Sequence, residues 1–258
     1  MLFRSTYLMA TSMRQKERDW FQKELDSKGY AVTVLAGAGM GKSNSSEVPP
    51  LQPGSAFGTF FATGDLQVGA TGTVTYRLGN RILGFGHPFF GLGAMEASLT
   101  SASIVDIFSG YQVSHHIATV GKTIGALVQD RNFSVAGVIG KMPHTVPFTV
   151  QVNDHTNGQK RTFHTEVFLH PDLTPSLVRL ITRQAISQVH DMPGDSMAKV
   201  TTRITADEMG TVERKNTVFD PADIAVPATQ DLTDILNIVA GNPQYPLPIR
   251  NGSVSVDI

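Results

Sequence analysis

The 258-residue chain has no cysteine and no long apolar run. The absence of cysteine excludes disulfide bonds, thiol catalysis and thiolate metal sites, although it does not decide the compartment. No apolar stretch approaches the roughly 20 residues that a membrane-spanning helix needs. The opening segment, MLFRSTYLMATSM, lacks a sustained apolar core followed by a small-residue cleavage site. It therefore does not predict a signal peptide.

An excess of basic charge is also missing. The chain has 21 Lys and Arg against 22 Asp and Glu, a formal net charge of −1. This balance argues against a nucleic-acid partner, because no positive surplus is available to neutralise phosphates. The hydrophobic content of 41% is that of an ordinary folded protein. The length allows one large domain or two small ones with a substantial core.

One short pattern, AGAGMGKS at 36–43, matches a phosphate-binding loop. Such a loop must open a helix, whose first turn places the Ser hydroxyl on magnesium. The residues that follow contain Pro49, Pro50 and Pro53, which exclude a helix longer than about a turn. We therefore interpret the segment as a Gly/Ser/Pro connector and not as a nucleotide site.

The hydrophobic pattern predicts a mainly β protein with peripheral helices, an α+β class with antiparallel sheets, because strands come in runs and do not alternate with helices. We expect an N-terminal region, 1–50, with a helix, a strand and a linker, and a second region, 51–258. Helices are predicted at 13–28 and 94–109, within 170–191, and at 229–240. The third is capped by Thr174 with Pro175 at its first position, and the last is closed by Gly241-Asn242-Pro243. The buried face of the third helix should be Leu177, Val178, Ile181, Ala185, Ile186 and Val189.

The segment 57–85 is predicted to be β, with a hairpin turn at Gly79-Asn80. Further strands are predicted at 31–35, 122–130, 134–140, 146–152, 160–169 and 198–206, with another turn at 153–158 and an edge strand at 253–258.

The most distinctive stretch is residues 51–93, which contains Pro53-Gly54, Gly64-Asp65, ATGTVTY and FGHPFFGLG. It resembles the SpoIVB peptidase family, the stage IV sporulation protein B type of bacterial serine peptidase. The resemblance continues in TIGALVQDRNFSVAGVIG at 123–140 and in the closing VFDPADI and NPQYPLPIRNGSVSVDI. It implies a chymotrypsin-like fold rich in β-barrel and an exported protein acting in the periplasm or cell envelope. The peptide-binding PDZ module of sporulation proteins is not recognisable here.

The resemblance also implies catalysis by a histidine base and a serine nucleophile. His87, just past a predicted strand, stands where the base is expected. The family's Gly-x-Ser-Gly-x-Pro loop is missing, and the nearest string is Gly194-Asp195-Ser196, in which Met197 replaces the glycine. Ser196 is the predicted nucleophile, since it follows the base and precedes a strand. A polar turn between helix and strand is the other interpretation of this string.

Weaker candidates are the serines Ser101 and Ser103 and, for the third catalytic position, Asp106 and Asp130. The remaining histidines, including the adjacent His115-His116, lack the spacing of metal ligands, so we expect no metal and no cofactor. Two function classes stay open. The chain is either a serine endopeptidase with a protein or peptide substrate, or a binding or scaffolding module that keeps the peptidase fold without the nucleophile.

Overall fold

The computed structural model describes residues 6–37, 50–108, 115–240 and 249–258. The protein is mainly β, its strand pairs are mostly antiparallel and its helices are few. The strands are β1 (Thr6–Thr11), β2 (Val32–Gly37), β3 (Ala56–Gly64), β4 (Gln67–Leu78), β5 (Arg81–Gly84), β6 (Gly93–Phe108), β7 (His115–Arg131), β8 (Ser134–Ile139), β9 (Thr145–Asp154), β10 (Gln159–Phe168), β11 (Ser196–Ala206), β12 (Gly210–Asp220) and β13 (Ile249–Asp257). The helices are α1 (Gln15–Ser27), α2 (Thr174–Val189), α3 (Ala225–Ala228) and α4 (Gln230–Ala240).

The chain divides into two compact units. Unit 1 comprises Met1–Phe61 and Gln67–His144, and unit 2 comprises Ala62–Leu66 and Thr145–Ile258. The N-terminal region expected at 1–50 contributes β1, α1 and β2 to unit 1, where β1 pairs with β4. Within the described residues, no helix combines the length and the apolar character that crossing a membrane requires.

Unit 1 is built on a ring of paired strands. β3 pairs with β6, and the pairing then passes through β7, β8 and β5 to β4, which pairs back with β3. β1 and β2 extend the sheet beyond β4 as a parallel pair. Large apolar side chains fill the interior, among them Phe57, Ile82, Leu99 and Leu127, each at most 1% exposed.

Glycine is frequent between residues 54 and 93, and close packing of aromatic rings explains two of these glycines. A Cβ at Gly84 would lie 2.4 Å from the ring of Phe57, and one at Gly72 would lie 2.7 Å from the ring of Phe85. Both distances are far below a normal carbon–carbon contact, so any larger residue would displace a packed ring. At these two positions glycine lets aromatic rings press against the sheet backbone.

The helix predicted at 94–109 is wrong, because this segment forms the long strand β6. It pairs with β3 over residues 98–101 and with β7 along most of its length. The β-branched residues Ile104, Val105 and Ile107 favour a strand, and partners on both sides outweigh the helix propensity of the alanines near its start. His115 and His116 begin β7 opposite the end of β6.

Unit 2 is a five-stranded sheet in the order β12-β11-β13-β9-β10, to which the last residues of β3 add beside β10. β13 pairs antiparallel with β11 and parallel with β9. The prediction of an edge strand at 253–258 is therefore wrong. Its alternating Val254 and Val256, 1% and 0% exposed, fit a central strand with one buried face.

The helix α2 lies in unit 2 with almost all its residues buried, and its predicted apolar face is confirmed. Thr174 is the first helical residue and not the cap. Its hydroxyl accepts the His170 N–H at 2.7 Å and donates to the Phe168 carbonyl at 3.1 Å. Pro175 is therefore the second helical residue, one position later in the helix than predicted but still within the first turn.

Other predictions are confirmed by α1, α4, the turn at Gly79-Asn80 and the turn at 153–158. Strands β1 and β12 were not predicted. Residues 38–49, which hold most of the phosphate-loop-like pattern, and the expected stop at Gly241-Asn242-Pro243 lie outside the described residues.

Candidate active site

The sheet of unit 2 brings together two strand ends that are far apart in sequence. Asp257 of β13 lies opposite Asn153 of β9 on one side and opposite Lys199 of β11 on the other. Because β9 and β11 run in opposite directions beside β13, the last residue of β9 and the first residue of β11 lie at the same end of these strands. Asp154 ends β9 and Ser196 begins β11, so both residues lie at this end of the sheet.

Asp154 is fully buried, and both oxygens of its carboxylate accept hydrogen bonds. Its Oδ1 accepts the backbone N–H of Thr156 at 2.8 Å and of Asn157 at 3.3 Å, and its Oδ2 lies 2.8 Å from Nδ1 of His190. Burial alone raises the pKa of this carboxyl, but the hydrogen bond with His190 and the two backbone donors outweigh it and lower the pKa below its ordinary value. Asp154 is therefore a carboxylate at neutral pH.

His190 occupies the C-cap of α2, where its backbone N–H donates to the Ile186 carbonyl at 2.8 Å. Its side chain is only 10% exposed. The carboxylate of Asp154 can only accept, so Nδ1 of His190 must carry the proton. In the neutral ring Nε2 then presents a lone pair, and it lies 3.1 Å from Oγ of Ser196.

Ser196 is partly exposed and follows a turn in which Gly194 has φ of 135°. Side chains alternate along β11, so Ser196 shares the face of the buried Ala198 and Val200, at the solvent end of that face. Its hydroxyl also lies 3.2 Å from the Gly194 carbonyl. The hydroxyl donates to Nε2 when the His190 ring is neutral, and it can turn to the carbonyl when the ring is protonated.

Asp220 lies directly opposite Ser196 in the pairing of β11 with β12, but its carboxylate is used elsewhere. Its Oδ1 accepts the backbone N–H groups of Asp223 at 2.7 Å and Ala222 at 2.8 Å. These two donors lower the pKa of Asp220 below its ordinary value. The acidic partner of the imidazole beside Ser196 is therefore Asp154.

The predicted base, His87, lies in unit 1, whereas Ser196 lies in unit 2. Nδ1 of His87 is 2.8 Å from the Pro88 carbonyl and 3.4 Å from Oγ1 of Thr6, and its ring lies 5.4 Å from that of Phe85. Phe85 has φ of 67°, a left-handed conformation that is strained for a bulky residue. The role of His87 as a base stays a prediction.

The other candidates also belong to unit 1. Asp130 is buried and accepts the backbone N–H groups of residues 89–92, so it organises the loop that follows His87. Asp106 is exposed and accepts the N–H of its neighbour Ile107. Ser101 is buried in β6 and Ser103 is exposed, and in the described part of the chain neither makes a hydrogen bond to an imidazole.

Sequence reasoning missed both partners of Ser196. His190 stands six residues before the serine, at the end of the clearest helix, and Asp154 stands in a turn with the composition NDHTNG. Neither position has a spacing typical of a catalytic motif. The available signal was the helix end beside a Gly-Asp-Ser string, which places an imidazole and a hydroxyl within one short turn.

Comparison of the chain with protein-family models, curated proteins and solved structures found no match. Among the described residues no group of three or more His, Asp or Glu side chains could hold a metal ion. The geometry of Asp154, His190 and Ser196 is therefore the basis for assigning a function.

Lowering the pH should expose the contribution of Asp154 to stability. Its folded-state pKa lies below the unfolded-state value of about 4, so the stabilisation is complete above that pH and is lost as the pH falls through the folded-state pKa. We would measure the free energy of unfolding of wild type and Asp154→Asn in urea from pH 7 to pH 2. The difference between the two free energies of unfolding should become smaller below about pH 4. A difference that stays constant over this range would contradict the assignment of charge to Asp154.

Proposed function

We propose that unit 2 is a serine hydrolase that cleaves acyl substrates, with Ser196 as nucleophile, His190 as general base and Asp154 as the residue that orients His190. The supporting observation is the continuous hydrogen-bonded chain of these three side chains, 2.8 Å from Asp154 Oδ2 to His190 Nδ1 and 3.1 Å from His190 Nε2 to Ser196 Oγ. Nucleophile, base and orienting acid within such distances define an activated serine.

The arrangement supports a two-step acyl transfer. As Oγ of Ser196 attacks the substrate carbonyl, its proton passes to Nε2 of His190. The imidazolium then gives this proton to the leaving group as the bond to the carbonyl carbon breaks, leaving an acyl group on Ser196. In the second step a water molecule attacks the acyl carbon while Nε2 of His190 takes its proton. The imidazolium returns this proton to Oγ of Ser196 as the ester bond breaks, which releases the acid and restores the serine.

Two features stabilise the positive charge that His190 acquires in each step. The carboxylate of Asp154 receives its Nδ1–H, and buried charges interact more strongly than exposed ones. The ring also stands at the C-terminal end of α2, where the helix dipole is negative and favours a cation. Both features act when the proton is on His190 and are weaker when the ring is neutral.

A peptide substrate is the part of the proposal that rests on the SpoIVB resemblance. The chain order here is Asp, His, Ser, whereas chymotrypsin-like enzymes use His, Asp, Ser, and other unrelated serine peptidases use the order seen here. We also propose that the ring of strands in unit 1 is a chymotrypsin-like barrel. Most of the residues that resemble the SpoIVB family belong to this unit. The hydrolytic residues proposed above belong to unit 2.

A binding or scaffolding module remains the second candidate. The observation in its favour is that Asp154 and His190 also join the β9–β10 turn to the end of α2, a role that needs no chemistry. In addition, Met197 stands where the family's loop has glycine. Under this alternative Ser196 is a surface residue without nucleophilic reactivity.

Alanine variants of the two histidines separate the proposed base from the one predicted from sequence. His190→Ala should lower kcat/KM for an activated ester such as p-nitrophenyl acetate by about 10²–10⁴-fold, because general-base assistance is lost. His87→Ala should stay within about threefold of wild type, a factor that corresponds to under 1 kcal/mol. If His87→Ala loses the activity and His190→Ala keeps it, the base is His87 and this proposal fails.

A further inference from the structure

The side-chain amide of Asn157 connects the two elements that carry Asp154 and His190. Its Nδ2 donates to the carbonyl of Val189 at 2.9 Å, and its Oδ1 accepts the backbone N–H of Gln159 at 2.8 Å. Both ends of the amide are used in a single orientation, since a flipped amide would set N–H against N–H and oxygen against oxygen. The Asn157 side chain is thus fixed by its partners.

The Val189 carbonyl is one of the last helical carbonyls, which have no partner within the helix. No glycine in the left-handed conformation closes α2, because the next residue, His190, is extended with φ of −104° and ψ of 98°. Asn157 therefore supplies a cap from outside the helix, at the peptide unit that leads into His190. On its other side, the backbone N–H of Asn157 donates to Asp154 at 3.3 Å.

The geometry points to Asn157 as a positioning residue that holds His190 against Asp154; this inference rests on the proposed function. The backbone N–H of Asn157 donates to the carboxylate of Asp154, and the side chain of Asn157 donates to the carbonyl of Val189, the residue before His190. Without the side-chain contact, the end of α2 can shift relative to the β9–β10 turn. A displacement of about 1 Å at a catalytic pair costs on the order of 10²-fold in rate.

The test compares Asn157→Ser with the matched control Asn153→Ala. Serine can still accept the Gln159 N–H within the turn, but it is too short to reach Val189. Asn153 lies in the same hairpin, and its amide contacts Asp257 and His155 and not the helix. Two readouts are used, the proton NMR signal of His190 Nδ1–H in the folded protein and the steady-state hydrolysis of p-nitrophenyl acetate.

Asn157→Ser should broaden or abolish the Nδ1–H signal through exchange with water and lower kcat about 10–100-fold with KM unchanged. Asn153→Ala should leave both readouts at their wild-type values. An unchanged Nδ1–H signal in Asn157→Ser overturns the positioning role, whatever the activity. If the wild type hydrolyses no ester, the proposed function fails, while loss of the signal in Asn157→Ser alone still establishes that Asn157 positions His190.

Discussion

Replacing Ser196 by alanine is expected to lower kcat/KM for p-nitrophenyl acetate by at least roughly 10⁴-fold. The Ser196 hydroxyl lies 3.1 Å from Nε2 of the proposed base, His190, where it can form the acyl intermediate. The initial burst of p-nitrophenol, which reports acyl-enzyme formation, should disappear together with the steady-state rate. Removing the oxygen leaves the Asp154–His190 pair intact, so folding should be little affected.

The matched control is Ser103→Ala, which removes an exposed hydroxyl from β6 in unit 1. It should keep both the burst and the steady-state rate. Combining Ser196→Ala with His190→Ala should cause no further loss, because residues that act as one catalytic unit are strongly non-additive. If Ser196→Ala hydrolyses the ester at a steady-state rate similar to that of wild type, another residue performs the reaction.

Replacing Asp130 by alanine is expected to lower the free energy of unfolding of the protein by about 3 kcal/mol or more, the largest stability effect that we predict for a polar residue. Its carboxylate accepts four backbone N–H groups, from residues 89–92, at 2.7–3.2 Å. Asp130 is 1% exposed and its hydrogen bond with the Phe89 N–H is buried, while its hydrogen bonds with residues 90–92 are partly buried. Unpaired buried donors each cost about 1–3 kcal/mol, and partial opening of the loop limits the sum.

Asp130→Asn offers a second variant with the same shape. Its amide oxygen can accept some of the four N–H groups, while its NH₂ opposes the others, so we expect an intermediate loss of stability. The control is Asp106→Ala, which should change the free energy of unfolding by less than about 0.5 kcal/mol because this residue is exposed. Chemical denaturation gives the free energy of unfolding of all three variants. If Asp130→Ala is as stable as wild type, Asp130 does not stabilise the loop at residues 89–92.

The sequence led to one residue of the candidate site and not to its partners. Ser196 stood out through the Gly-Asp-Ser string, which has a local pattern. Asp154 lies 42 positions earlier, and it reaches the site only because β13 separates and aligns β9 and β11. Such a contact depends on which strands are neighbours in the sheet, and the hydrophobic periodicity within one strand does not encode this order.

The fold shows the same division between local and non-local information. The pattern in α2 is local, and the predicted buried face agreed with the structure residue by residue. In contrast, β6 and β13 were misassigned because their state and place depend on distant partners. β6 is a strand since β3 and β7 flank it, and β13 is central since β9 and β11 flank it.

The site of covalent labelling by a fluorophosphonate probe tests most directly whether Ser196 is the nucleophile. Folded protein is treated with the probe, digested and examined by mass spectrometry, with His190→Ala treated in parallel. We expect a stoichiometric adduct on Ser196 in the wild type and at least about a 100-fold slower reaction in His190→Ala. Folded protein without an adduct, or with one on a serine other than Ser196, would contradict this assignment.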